Sequence, residues 1–189
     1  MARFDIVAFA ASAGGLNALT RVLGALPAGF PAAIVVVQHV DRHHPSLMAD
    51  ILRKRTPLAV GEAQEDKRVA PGTVSIAPPN KHLLVNADGS LHLTQTELVH
   101  FVRPSADLLF ESVAAGYRSR AIAVVLSGTG VDGAMGVLAI HQTGGTVIVQ
   151  EAQSCEFPGM PEAAIATGAV DFVLPLEEIA PALQKLMPG

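Results

Sequence analysis

Residues 5–26 read "DIVAFAASAGGLNALTRVLGAL". A short apolar run, 5–10, breaks at a serine followed by two glycines. Leu16, Leu19, Leu23 and Leu26 then recur near helical spacing. Strand, tight turn and helix in that order form the unit from which α/β domains are built. Outward from this unit the same grammar returns. "AAIVVVQ", 32–38, and "AIAVVLS", 121–127, are continuous apolar runs suited to strands buried on both faces. "TVIVQ", 146–150, and "VDFVLP", 170–175, read as two more strands. Helical pattern covers 45–55, 104–117, 134–145, 160–168 and 176–187, the third of these ending at glycines.

The middle of the chain differs. "TVSIAPP", "HLLVN" and "LHLTQT" are short strand-like runs at 73–79, 82–86 and 91–96, and Asp88-Gly89 is a hairpin signal. They read as an antiparallel edge or excursion. The expected fold is α/β, with a mostly parallel sheet covered on both faces.

At 189 residues the chain is long enough for one well-filled core and short for two. Half of it is hydrophobic and 16% is charged, which excludes disorder. Aromatics are 4%, so Val, Ile, Leu and Ala must build the core. A net charge of −4 gives no basic field for nucleic acid or anionic lipid. The single Cys155 cannot form an internal disulfide, which suits a reducing compartment. "MARFDIVAF" lacks the shape of a signal peptide, and no apolar run approaches the roughly 20 residues of a membrane span. A cytoplasmic protein without membrane insertion is expected.

In open α/β sheets, ligands bind at the carboxyl ends of the strands. The apolar runs deliver Ser12, His39 and Asp132 there. A serine hydroxyl needs a base to become a nucleophile, a histidine can take and return its proton, and a carboxylate can fix the imidazole. Gly14 and Gly15 allow a tight turn beside Ser12. Gly128, Gly130 and Gly133 do the same around Asp132, and both loops could offer N–H donors to an oxyanion. Ordinary alternatives stay open: Ser12 as a helix cap, His39 as a strand-end histidine, Asp132 as a cap before "GAMG". A phosphate site is disfavoured because neither a dinucleotide nor a P-loop motif is present. His39, Asp41, His43 and His44 lack a recognised metal-ligand spacing, and Cys155 has no nearby base. Neither metal nor cofactor is expected.

"ASAGG", "VVQH", "RPSADLLFESVA", "LSGTGVDGAMG" and "SCEFPGMPEAAI" occur in this order across nearly the whole chain. Together they resemble the catalytic domain of the bacterial chemotaxis protein-glutamate methylesterase, the CheB family. The resemblance implies a three-layer α/β/α sandwich. It implies hydrolysis of glutamyl methyl esters on the cytoplasmic helices of chemoreceptors, with release of methanol, and glutamine deamidation in some members. It makes Ser12 the nucleophile, His39 the base and Asp132 the acid of a triad. It places the oxyanion at the N–H groups of Thr129 and His39, with Ala13, Gly14, Arg103 and Met160 near the site. The family usually has Thr where this chain has Ala13 and Met where it has Thr129. It usually carries an N-terminal receiver domain. Here the first catalytic strand begins at about residue 5, so one methylesterase domain over 1–189 without a receiver is expected. Two rivals remain: a hydrolase of the same fold with another ester or amide, and a non-catalytic partner-binding module.

Overall fold

The computed structural model describes residues 4–187. Seven strands form one parallel sheet: β1 (Ile6–Ala11), β2 (Ala33–Gln38), β3 (Ala59–Glu62), β4 (Thr73–Ile76), β7 (Ala121–Val125), β8 (Thr146–Gln150) and β9 (Phe172–Leu174). Their order across the sheet is β3-β4-β2-β1-β7-β8-β9. The connections between successive parallel strands run mostly through helices, which return the chain to the start of the next strand. The winding direction changes between β1 and β7, so a crevice is expected at their carboxyl ends.

The central strands alternate sides. Val7 and Phe9 join Ile34, Val36, Ile122 and Val124 on one face. There α1 (Gly15–Gly24), α2 (Met48–Arg53) and α6 (Leu176–Leu186) supply residues such as Leu19, Leu23, Leu52 and Leu183. Ile6, Ala8 and Ala10 point to the other face, under α3 (Ala106–Tyr117), α4 (Ala134–Gln142) and α5 (Gly159–Ala166). That face mixes alanines such as Ala8, Ala10 and Ala123 with Val35, Val37 and Val149, and the helices add Leu109, Phe110, Val113 and Val137. Removing a buried ring such as Phe9, with no exposed surface, costs about 3–5 kcal/mol.

The middle of the chain corrects one expectation. Residues 73–76 are not part of the antiparallel excursion: β4 lies inside the main sheet, parallel to β2 and β3. Its alternation is that of a strand near an edge, which reads alike in either orientation. The hairpin is confined to β5 (His82–Val85) and β6 (Leu91–Thr94). Asp88 closes it by accepting the Ser90 N–H at 2.9 Å, and Gly89 sits at φ 85°, where a side chain is strained. No described helix is long and apolar enough to cross a membrane.

Candidate active site

Ser12 follows β1 directly, and its backbone is fixed from three directions. Its N–H donates to the Ser127 carbonyl at 3.0 Å, across the switch point. Its carbonyl accepts from Gly15 N–H at 2.8 Å and from the Gln38 side chain at 2.7 Å. Helix α1 starts from Gly14 at φ 75° and uses no side-chain cap. Ser12 is therefore not a helix cap, and its hydroxyl bonds to no described residue.

His39 follows β2, and its Nε2 meets Asp132 Oδ2 at 2.7 Å. The pair is shielded, with side-chain exposures of 13% and 2%. Asp132 also accepts Ser105 Oγ–H at 2.8 Å and the N–H groups of Ala106 and Asp107 at 2.6 and 3.1 Å. Burial alone would raise this carboxyl. The His39 bond and the two backbone donors outweigh it and hold Asp132 below the usual carboxylate range. An ionised carboxylate only accepts, so Nε2 carries the imidazole proton and Nδ1 is left as the basic nitrogen. The two ring nitrogens thus exchange the roles they have in chymotrypsin-like triads. Asp132 does not cap its own helix, which begins at Ala134 with Gly133 in the cap position. It caps the neighbouring α3.

The loop after β7 runs against Ser12. A Cβ on Gly128 would stand 2.7 Å from Ser12 Cβ and 2.5 Å from Met160 Sδ, so only glycine fits. The N–H groups of Ala13, Gly14, Thr129 and Gly130 donate to no acceptor among the described residues. The His39 N–H does not share that freedom: it donates to the Ala11 carbonyl at 3.0 Å, continuing the β1–β2 ladder. This corrects its expected role as an oxyanion donor. Met160, 1% exposed, lies behind the loop and donates its N–H to Gly128. It braces the loop and is not open to substrate. Arg103 spends its guanidinium on Asn80 Oδ1 and on the carbonyls of Gln95 and Thr96, tying the hairpin to the site. It still lines a cavity of about 250 Å³ that opens beside His39, with Asp41, Arg42 and Phe101 on the other walls.

Residues 7–183 match the family profile described as CheB methylesterase. The chain belongs to the CheB methylesterase family. It is 46% identical over 178 residues to a protein-glutamate methylesterase/protein-glutamine glutaminase of Burkholderia lata, covering 94% of this chain and 52% of that one. It is 41% identical over 182 residues to the protein-glutamate methylesterase FrzG of Myxococcus xanthus, covering 96% and 54%. The chain thus spans about half the length of these curated relatives. The crystal structure of the Thermotoga maritima CheB methylesterase catalytic domain superposes with a TM-score of 0.92 at 37% identity, covering 97% of this chain and 99% of that one.

Three residues of this CheB-family site have roles that the motifs do not reveal. Gln38 and Gln150 end the buried strands β2 and β8, and each ties down the loop of the strand beside it. Gln38 donates to the Ser12 and His39 carbonyls at 2.7 and 3.0 Å. Gln150 accepts the Ser127 N–H at 2.9 Å and donates to the Ser154 carbonyl at 2.9 Å. Gln38 Oε1 is buried without a partner among the described residues, at the position a Gly15 Cβ would enter. The positive end of α1 offsets part of that cost. The available signal was a polar amide closing an otherwise apolar run, in "IVVVQ" and again in "TVIVQ". The third residue, Asp107, is buried behind Asp132. Cys155 stands apart: burial, with Glu162 adding to it, pushes its thiol up to about 11, so it is protonated at neutral pH.

Proposed function

We propose that this protein hydrolyses glutamyl methyl esters on the cytoplasmic helices of chemoreceptors through Ser12, His39 and Asp132. The observation that carries the reading is the shielded 2.7 Å bond between His39 Nε2 and Asp132. It fixes the tautomer that leaves Nδ1 basic, and the Ser12 hydroxyl bonds to no described residue. Ser12 Oγ attacks the ester carbonyl while His39 Nδ1 takes its proton. The oxyanion collects N–H donors from the unpaired amides of Thr129 and the Ala13-Gly14 turn. The C–O bond to the methoxy group breaks, and His39 returns the proton so that methanol leaves. Water, deprotonated by the same imidazole, then cleaves the acyl-enzyme and restores the glutamate and the free serine. No metal or cofactor enters this sequence.

The protein-glutamine glutaminase named for the Burkholderia relative is the amide form of the same reaction, with ammonia as leaving group. We read residues 4–187 as one catalytic unit, since every group used lies within them. Methanol release from a methylated chemoreceptor is the test. Ser12→Ala should lose on the order of 10³-fold or more while keeping its fold. Undiminished turnover in a folded Ser12→Ala protein would overturn the triad.

A further inference from the structure

We propose that Asp107 is a positioning residue for Asp132, acting through a mutual clasp between two helix starts. The inference rests on reading Ser12, His39 and Asp132 as a triad. Asp132 precedes α4 yet takes its donors from the start of α3: Ser105 Oγ, Ala106 N–H and Asp107 N–H. Asp107, in the first turn of α3, reaches back. Its Oδ1 accepts the N–H groups of Gly133, the residue after Asp132, and of Gly136 in the first turn of α4, at 3.0 and 2.8 Å. Each helix is therefore capped by a carboxylate from the other segment.

The clasp is tight. A Cβ on Gly136 would stand 2.6 Å from Phe110 Cβ and 3.2 Å from Asp107 Cα, so the two segments have no room to slide. Asp132 Oδ2, the atom that meets His39, takes its place from this frame. Asp107 touches neither Ser12 nor His39 by hydrogen bond, so it works through Asp132.

The charges agree with the geometry. Asp107 faces Asp132 across the clasp and His100 Nε2 at 3.1 Å, with Glu111 one turn along α3. His82 lies on the hairpin side, where its Nδ1 accepts the Ser105 N–H, and His39 lies beyond Asp132. His100 is supplied by a two-residue turn in which it and Phe101 both hold positive φ, 48° and 66°. Such a turn is costly without glycine. It delivers an imidazole hydrogen-bond partner to a carboxyl that burial would otherwise leave facing only a like charge.

The test compares Asp107→Ala, which opens the clasp, with Asp107→Asn, which keeps an Oδ1 acceptor and removes the charge. Esterase rates are read with a small p-nitrophenyl ester, and the ¹⁵N signals of the His39 ring report its tautomer without any substrate. Asp107→Ala should lower kcat about 10–100-fold with KM nearly unmoved, and mix the ring tautomers. Asp107→Asn should recover most of that rate and keep the Nε2–H form. Its acidic limb of kcat/KM should move to lower pH, because a negative charge near the His39–Asp132 pair is gone. A folded Asp107→Ala with wild-type kcat and ring signals overturns the proposal, and so does an asparagine variant as impaired as the alanine one. If Asp107→Ala does not fold, Asp107→Asn decides alone: an unmoved acidic limb overturns it. An inactive wild type would instead refute the triad reading, with the ring signals still testing the clasp.

Discussion

The pairs His39–Asp132 and His92–Glu65 measure 2.7 and 2.8 Å. Length does not distinguish them, and surroundings do. His92 and Glu65 are about half exposed, at 51% and 48%, and Glu65 also accepts the Leu93 N–H. Water can replace either partner there, so the pair contributes little. Asp132 is closed off, and three further donors converge on it. Nothing can replace it, because loss of the carboxylate strands all of them. A histidine–carboxylate contact becomes chemical machinery when burial and convergent donors remove every alternative.

The sharpest way to break this contrast is to change one atom. Asp132→Asn should cost on the order of 10⁴-fold in kcat, because an amide can pair with the wrong tautomer. Glu65→Gln should leave the rate unchanged in the same methanol-release assay. Asp132→Ala asks the stability question. With Ser105 Oγ–H and two buried N–H groups stranded, urea titration should show a loss of about 3 kcal/mol or more. The urea midpoint of Glu65→Ala should match that of wild type.

Acid separates the two buried carboxylates. Asp132 lies below its unfolded value, about 3.9, so its contribution is complete above that pH and fades as pH falls through the lower folded value. Asp107 runs the other way. Burial first, and then the Asp132 charge, raise it against the pull of the Gly136 and Gly133 amides. Its favourable contribution exists below the unfolded value and is lost as pH rises through the folded one. Urea midpoints between pH 3 and 7 should therefore show wild type gaining on Asp107→Asn as pH falls. A gap that widens toward neutral pH would contradict the sign. The smallest effect is expected at Phe101, which is 92% exposed at φ 66°. Phe101→Gly relieves a left-handed residue, and even after the entropy glycine adds to the unfolded chain it should gain up to about 1 kcal/mol.

The sheet was legible where burial is total. β1, β2, β7 and β8 are apolar runs bounded by turns, and polar residues at three of their ends announced the site. β3 was missed because "AVGE" is four residues with a glycine and two exposed positions, as an edge strand permits. β4 was assigned the wrong partners because pairing direction leaves no mark on so short a run. Asp107 and the His39 amide were illegible for a different reason. Hydrogen-bond partners distant in the chain are set by how helices pack. A motif gives the residue and leaves out what its N–H or carboxylate is already doing.

The placement of β1 has a consequence for synthesis. β1 is the first described strand to leave the ribosome, yet it lies mid-sheet, with Ile6 paired to Ala33 on one side and to Ala121 on the other. A nascent chain that has reached residue 100 can zip β1 to β2 but must carry the other flank of β1 bare, with nothing yet made to cover it. Ser12 and His39 are already present at that stage, while Asp132 and both halves of the clasp are still to come. Competence for chemistry and cover for the second flank of β1 therefore arrive together, in the stretch that delivers β7 and α4.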